Sequence, residues 1–400
     1  MKKNSFQICL ILPFFLVFTN TYSQTNSNTA NTVIGFFKKK PAPPPPAQPS
    51  PQTQPANAVG TSAPGNTTAT ADQRGQVPTL TSYQNYDFVP GNNILFEDEF
   101  TDDESGEFPT HWNLKAGQAI LNMQGKDKAF FLTDGNYCRV FPLMKNDSYL
   151  TKNFSVEYDY YGNGGYSPII EIDENQGGNL KVCVTGNDVK WTGYGPGDHS
   201  TSLGGQLPAD IAGRNFENKW HHIAITYKND QMKVYCDQYR VLIVPHCNGL
   251  APMNVQIEGI GDHAKPIIIK NFKIADGAQM YTTGQTFTDA KIVTHGINFD
   301  INKATIKPES MGTLNMIVRV LNDNPTLKFE VDGHTDNTGT PANNLILSQQ
   351  RADAVKAQLI TMGVDASRLT TKGFGDTKPV SDNSTLDGKA NNRRVEFVKL

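Results

Sequence analysis

Asp336 and Arg351 are the residues whose types and spacing best suit recognition chemistry. Asp336 closes a polar stretch, Asp332 to Asn337, that follows an alternating apolar run. Arg351 falls inside the helical pattern that comes next. Leu347, Arg351 and Val355 recur at i, i+4, so they share one side of a helix, within or beside its apolar stripe. A guanidinium there needs a partner, because burying an unpaired charge is costly. Asp336, at the mouth of the same helix, is the natural candidate. A sheltered carboxylate and guanidinium within reach of one ligand suit a zwitterion: the carboxylate accepts from an ammonium group, and the guanidinium donates a two-pronged pair to a carboxylate. Two such bonds, at about 1.5–3 kcal/mol each, correspond to about millimolar to tens-of-micromolar binding. That is weak for a free ligand and adequate for a polymer that repeats the group. Taken alone, Asp336 reads better as a turn residue or helix cap, Arg351 as half of an internal salt bridge, and His334 as a structural histidine at a strand end.

The elements that must position the pair are legible from about Ala290 onward. Gly296 to Phe299 reads as a strand. Met311, Leu314, Ile317, Val318 and Leu321 recur at helical spacing after Pro308. Leu327, Phe329 and Val331 alternate with charged residues and predict a strand. Leu347, Ala352, Val355, Leu359 and Ile360 mark a second helix that stops at Gly363. Arg368 to Gly373 and Arg394 to Val398 read as strands. The order β-α-β-α-β-β implies a small mixed sheet covered by two helices.

These residues resemble the C-terminal, peptidoglycan-binding family of OmpA. The resemblance rests on Asp332 to Asn337, Gly339, Asn344, Leu347-Ser348, Arg351-Ala352, Gly373-Phe374-Gly375, Pro379 and Asn392-Arg393-Arg394-Val395-Glu396, in family order over about the last hundred residues. It implies non-covalent binding to the diaminopimelate of peptidoglycan stem peptides, with Asp336 taking the ammonium and Arg351 the carboxylate. Asn302 and Asn344 match positions that line the same pocket, and Thr335 would add a backbone contact. Arg394 would help shape the site, with packing and salt-bridging to the sheet as its alternative role.

The chain of 400 residues is too long for one ordinary core. A net charge of −3 with 19% charged residues gives no basic excess, so nucleic acid is not expected as a partner. Lys2, Lys3 and the apolar run Cys9 to Phe18, with Thr21 and Ser23 placed for cleavage before Gln24, read as an export signal over 1–23. Cys9 lies within the apolar run, which does not support a lipid anchor, and no later run is long enough for a transmembrane segment. Residues 24–84, rich in Pro, Thr and Asn, are expected to be a disordered spacer. Four cysteines remain, Cys138, Cys183, Cys236 and Cys247. Export makes disulfides plausible, with Cys236–Cys247 as the first pairing to expect and four buried thiols as the alternative.

Residues 85–276 carry short alternating runs, such as Phe154 to Tyr158, His222 to Tyr227 and Met232 to Cys236, between Gly, Asn and Asp. They predict an antiparallel β-sandwich, joined by a linker over 277–289 to the domain over 290–400. Phe96-Glu97-Asp98-Glu99-Phe100, Pro109 to Trp112 and Trp220 to Ile225 resemble the concanavalin A-like and laminin G-like jelly rolls, whose members bind glycans or proteins and in some cases hydrolyse glycans. Calcium near the start of the sandwich is expected only by this analogy, and no other cofactor is called for. Glu171-Ile172-Asp173-Glu174-Asn175-Gln176 resembles the active strand of one group of jelly-roll hydrolases, but Asn175 and Gln176 stand where the second Glu is needed. Glu174 would point to the opposite face of a regular strand.

The expectation is therefore a non-catalytic, exported protein of a Gram-negative-type envelope, periplasmic and associated with the outer membrane. It would bind peptidoglycan through its C-terminal domain and a glycan or envelope protein through its sandwich. A peptidoglycan-tethered glycoside hydrolase and a purely structural assembly protein are the two alternatives.

Overall fold

The computed structural model describes residues 80–195, 199–277 and 286–400. The export signal, most of the spacer and most of the 277–289 linker lie outside the described residues. The end of the expected spacer does not: Leu80–Tyr83 is an ordered 3-10 turn and Tyr83 is buried. The aromatic content of Tyr83, Tyr86 and Phe88 explains this correction, since these rings have a face to bury against.

The first region consists of strands β1 (Asn93–Asp98), β2 (Trp112–Gln124), β3 (Asp127–Pro142), β4 (Asn153–Gly162) and β5 (Ile169–Glu174). Next come β6 (Asn179–Val184), β7 (Asp188–Tyr194), β8 (Ser200–Gln206) and β9 (Lys219–Lys228). β10 (Gln231–Cys236), β11 (Tyr239–Val244), β12 (Pro252–Gly261) and β13 (Ile267–Asp276) complete it. All pairings are antiparallel, and the strands form one continuous sheet in the order β11-β10-β9-β4-β13-β3-β12-β5-β6-β7-β8, with β1 on β13 and β2 on β3. The sheet nearly closes, because its edges β8 and β11 approach each other. Gly205 faces the Val241 backbone there, with no room for a Cβ. Alternation puts Ile170, Ile172, Ile223, Ile225, Val234 and Ile257 inside one core.

The four cysteines are free thiols. Cys236 pairs with Tyr239 at the hairpin turn, whereas the Cys247 amide donates to the Asp230 carbonyl at 2.9 Å, at the other end of the same hairpin. Six residues of strand separate these positions by about 20 Å, far beyond the ~4.4–6.8 Å a disulfide spans.

The second region contains β14 (Lys291–Thr294), α1 (Met311–Asp323), β15 (Phe329–His334), α2 (Pro341–Thr361), β16 (Leu369–Gly375), α3 (Leu386–Asn392) and β17 (Val395–Lys399). Its sheet runs β14-β17-β15-β16, with β15 and β16 parallel and connected through α2. The first strand lies before the expected Gly296 to Phe299, which instead enters a loop closed by a single Phe299–Ile306 bridge. A third helix, α3, was not expected; Thr385 caps it by accepting from the Gly388 amide. Among the described residues no helix is long and apolar enough to cross a membrane.

The two regions share a core. Ala224 and Tyr235 pair across β9 and β10 with their side chains out of phase with the sheet interior. They pack instead with Tyr83, Tyr86, Phe88, Met311 and Leu314. Tyr235 meets Tyr86 and Phe88 at 5.4 Å between ring centres. Each buried ring of this kind contributes about 1.5–3 kcal/mol. Asn391 of α3 clamps the β1 backbone from both sides, accepting from the Ile94 amide at 2.9 Å and donating to its carbonyl at 2.8 Å.

Candidate functional site

The site is built where β15 leaves the sheet. Its ladder continues through His334, whose amide donates to the Arg394 carbonyl, and Thr335, whose amide donates to the Gly375 carbonyl at 3.0 Å. Asp336 is the first residue beyond the ladder. Its carboxylate accepts from the Thr338 amide at 2.8 Å, which folds the turn. Gly339 takes a left-handed φ of 91° to complete the turn. Thr340 caps α2, accepting from the Asn343 amide, with Pro341 in the first helical turn. Buried Asn344 donates to the Asp336 carbonyl at 3.3 Å and ties the turn to the helix. The buried stripe of α2 is Asn344, Ser348, Ala352, Val355 and Leu359. Its small members let the helix lie directly on Gly333 and Gly373, where a Cβ would strike the α2 backbone.

Asp336 and Arg351 are neighbours but not partners. The Asp336 carboxylate pairs with Arg393 Nη1 at 2.8 Å. Arg351 donates from Nε to the Lys303 carbonyl at 3.0 Å and lies over the Phe299 ring at 4.9 Å. It grips the loop that carries Asn302, which is exposed and adopts a left-handed φ of 56°. The expected Asp336–Arg351 pairing is thus replaced by Asp336–Arg393, because the short turn holds the carboxylate toward the α3–β17 junction. Arg351 still feels Asp336. Burial, and then the Arg393 charge, lower the proton affinity of Arg351, while Asp336 opposes the shift. For Asp336, burial favours the neutral acid, but the hydrogen bonds from Arg393 and Thr338 outweigh it and hold the carboxyl below its usual range.

Of the adjacent arginines, Arg393 reaches Asp336 and Arg394 does not. Arg394 is buried, donating to Glu396 at 2.7 Å and to the Lys378 carbonyl at 3.2 Å. These contacts are of the packing and salt-bridging kind. Thr335 Oγ1 is buried with no hydrogen-bond partner, and its amide is spent in the ladder. Sequence reasoning also missed Glu97 of β1, which pairs with Arg393 Nη2. The alternation of Phe96 to Phe100, with acids between buried rings, was the available signal.

The Glu171 cluster is differently organised. Glu171 and Glu258 lie under Arg139 and Lys181, which bridge both carboxylates. Burial first, and then Glu258, push Glu171 up to about 7. β5 runs in regular register from Ile169 to Asp173, so Glu174 falls on the opposite face, buried and bonded to Asn248. Near the start of the first region Asp98, Asp102 and His111 each bring a ligand atom within 4.8 Å of the others. Both Asp98 oxygens are already engaged, by the Phe100 amide at 2.7 Å and by Trp112 Nε1 at 2.9 Å.

Residues 298–393 match the OmpA family. The chain is 49% identical over 104 residues to the probable lipoprotein YiaD of Escherichia coli, covering 26% of this chain and 48% of that protein. It is 38% identical over 102 residues to the peptidoglycan-binding protein ArfA of Mycobacterium bovis, covering 26% of this chain and 31% of that one. Among solved structures, the peptidoglycan-associated lipoprotein of Burkholderia pseudomallei is 29% identical, covering 26% of this chain and 88% of that one with a TM-score of 0.25. The chain spans about half or less of the curated relatives named.

Proposed function

We propose, from the OmpA-family domain that residues 298–393 form, that the chain is an exported envelope protein held to peptidoglycan through the diaminopimelate of the stem peptide. The observation that carries this reading is that Asp336 and Arg351 lie within electrostatic reach of one another without a mutual ion pair. Each retains charge to offer a ligand. Diaminopimelate carries an ammonium and a carboxylate on one carbon, which is what an adjacent carboxylate and guanidinium recognise. Asn344 holds the Asp336 turn, and Arg351 holds the loop carrying Asn302. A relative named as peptidoglycan-binding supports the same polymer.

The first region is read as a non-catalytic, jelly-roll-type module that presents a surface to a glycan or an envelope protein. A hydrolase is disfavoured by Glu171, whose carboxylate is locked under Arg139 and Lys181 beside Glu258 rather than standing about 5–5.5 Å from an open partner. The test of the anchoring is co-sedimentation of the whole chain with diaminopimelate-type sacculi. Wild type should pellet, and Asp336→Ala or Arg351→Ala should stay in the supernatant. Equal pelleting of all three would refute the assignment.

A further inference from the structure

The β1 strand of the first region brings a carboxylate to the OmpA-family site. Arg393 stands between the regions and bridges two acids, Asp336 through Nη1 at 2.8 Å and Glu97 through Nη2. Glu97 is placed there by two independent restraints. Its strand is paired with β13 in a register that sets Glu97 opposite Lys273. The same strand is clamped at Ile94 by Asn391, two residues before Arg393. Neither restraint needs the ion pair, so the carboxylate is delivered by the backbone rather than drawn in by charge. Glu99, just past the end of β1, adds to the acidic surroundings of Arg393.

The consequence is a change in charge balance. Without Glu97, Arg393 would be left with the Asp336 carboxylate as its ion-pair partner, and Arg351 would add a second guanidinium nearby. Such a site favours a bare anion, and much of the Asp336 charge would be spent on Arg393. With Glu97 present, Arg393 has two ion-pair partners, and Glu99 adds further negative charge. Arg393 is neutralised from the far side, and Asp336 keeps charge to offer an ammonium group. We propose that Glu97 is a specificity-determining residue contributed by the first region, which tunes the OmpA-family site from carboxylate binding toward zwitterion binding. It acts through Arg393 and is a positioning residue. The inference rests on the assignment of Asp336 and Arg351 to the ligand, and it adds that the β-rich region is part of the recognition apparatus.

Two ligands separate the effects. Meso-diaminopimelate carries both ammonium and carboxylate groups, and pimelate is the same chain without the ammonium groups. Each is titrated into the whole chain by nuclear magnetic resonance. Glu97→Gln is nearly isosteric at a side chain that remains 18% exposed, so the fold is expected to survive. The ratio of diaminopimelate to pimelate affinity should fall about fivefold in Glu97→Gln. Glu97→Asp, which keeps the charge, should stay near the wild-type ratio. An unchanged ratio in Glu97→Gln overturns the role of Glu97 and leaves the site assignment standing. Equal shifts in both variants would mean that packing rather than charge is at work, and would also overturn it. Failure of the wild-type chain to bind diaminopimelate at all would overturn this proposal and the site assignment together.

Discussion

Arg393 Nη1 lies 2.8 Å from the Asp336 carboxylate, across the junction between α3 and the turn after β15. This contact governs the ionisation of Asp336. Burial opposes the charge, and the hydrogen bonds from Arg393 and Thr338 restore it. Replacing Arg393 with Met should therefore raise the Asp336 midpoint in a carboxyl-carbon titration. The stabilisation from this contact is complete above the ordinary carboxylate value of about 3.9 and is lost as pH falls through the lower folded value. A midpoint that does not move would contradict the contact.

Arg351 holds the backbone oxygens of Lys303 and Asp300 through Nε and Nη2. A lysine keeps the charge but offers a point in place of a planar fork. Arg351→Lys should therefore loosen the Asn302 loop and weaken sacculus binding by about tenfold, while the melting temperature moves by only a few degrees. Full retention of binding would show that charge alone suffices.

Much of this site was legible in the sequence, and the reasons are local. The turn chemistry of Asp336 and Gly339, the cap at Thr340 and the four-residue spacing along α2 are properties of neighbouring residues. The partner of Asp336 was not legible, because consecutive residues point to opposite sides. Arg393 and Arg394 look alike in the chain, yet only Arg393 faces the turn. Glu97 was hidden for a different reason. It lies in another region of the chain, and only the docking of β1 against α3 brings it to the site. The strand-rich character of residues 85–276 followed from alternation, whereas the near closure of the sheet depends on the β8–β11 approach, which no local pattern encodes. The burial of Ala224 and Tyr235 on the outer face was likewise invisible until the Tyr83–Phe88 segment and α1 covered them.

That shared core makes a strong demand at Gly312 of α1. A Cβ there would overlap the Phe88 carbonyl. Gly312→Ala should cost about 1–3 kcal/mol in urea unfolding and separate the unfolding of the two regions. Its helix propensity alone would favour Ala by about 1 kcal/mol, so the sign of the change is decisive. A stabilised variant would contradict the close packing of Phe88 on α1.

His334 is buried against Phe374, with 5.1 Å between the ring centres. Burial first, and then Arg394, push its pKa down to about 4. The unfolded chain takes up this proton near 6.5, so between about 6.5 and 4 it binds more than the folded chain. The stability His334 contributes is thus full above about 6.5 and is lost as pH falls toward 4, at about 1.4 kcal/mol per pH unit at most. His334→Gln should flatten the pH dependence of unfolding in this window. An unchanged slope would show that His334 titrates as it does in the unfolded chain.

The central claim is recognition of one amino acid of the wall, and the comparison of two wall types tests it most directly. Sacculi whose stem peptides carry diaminopimelate offer the ammonium and carboxylate together, while lysine-type sacculi offer the side-chain ammonium without that carboxylate. The whole wild-type chain should pellet with the first and remain in solution with the second. Equal pelleting with both, or with neither, would contradict the claim.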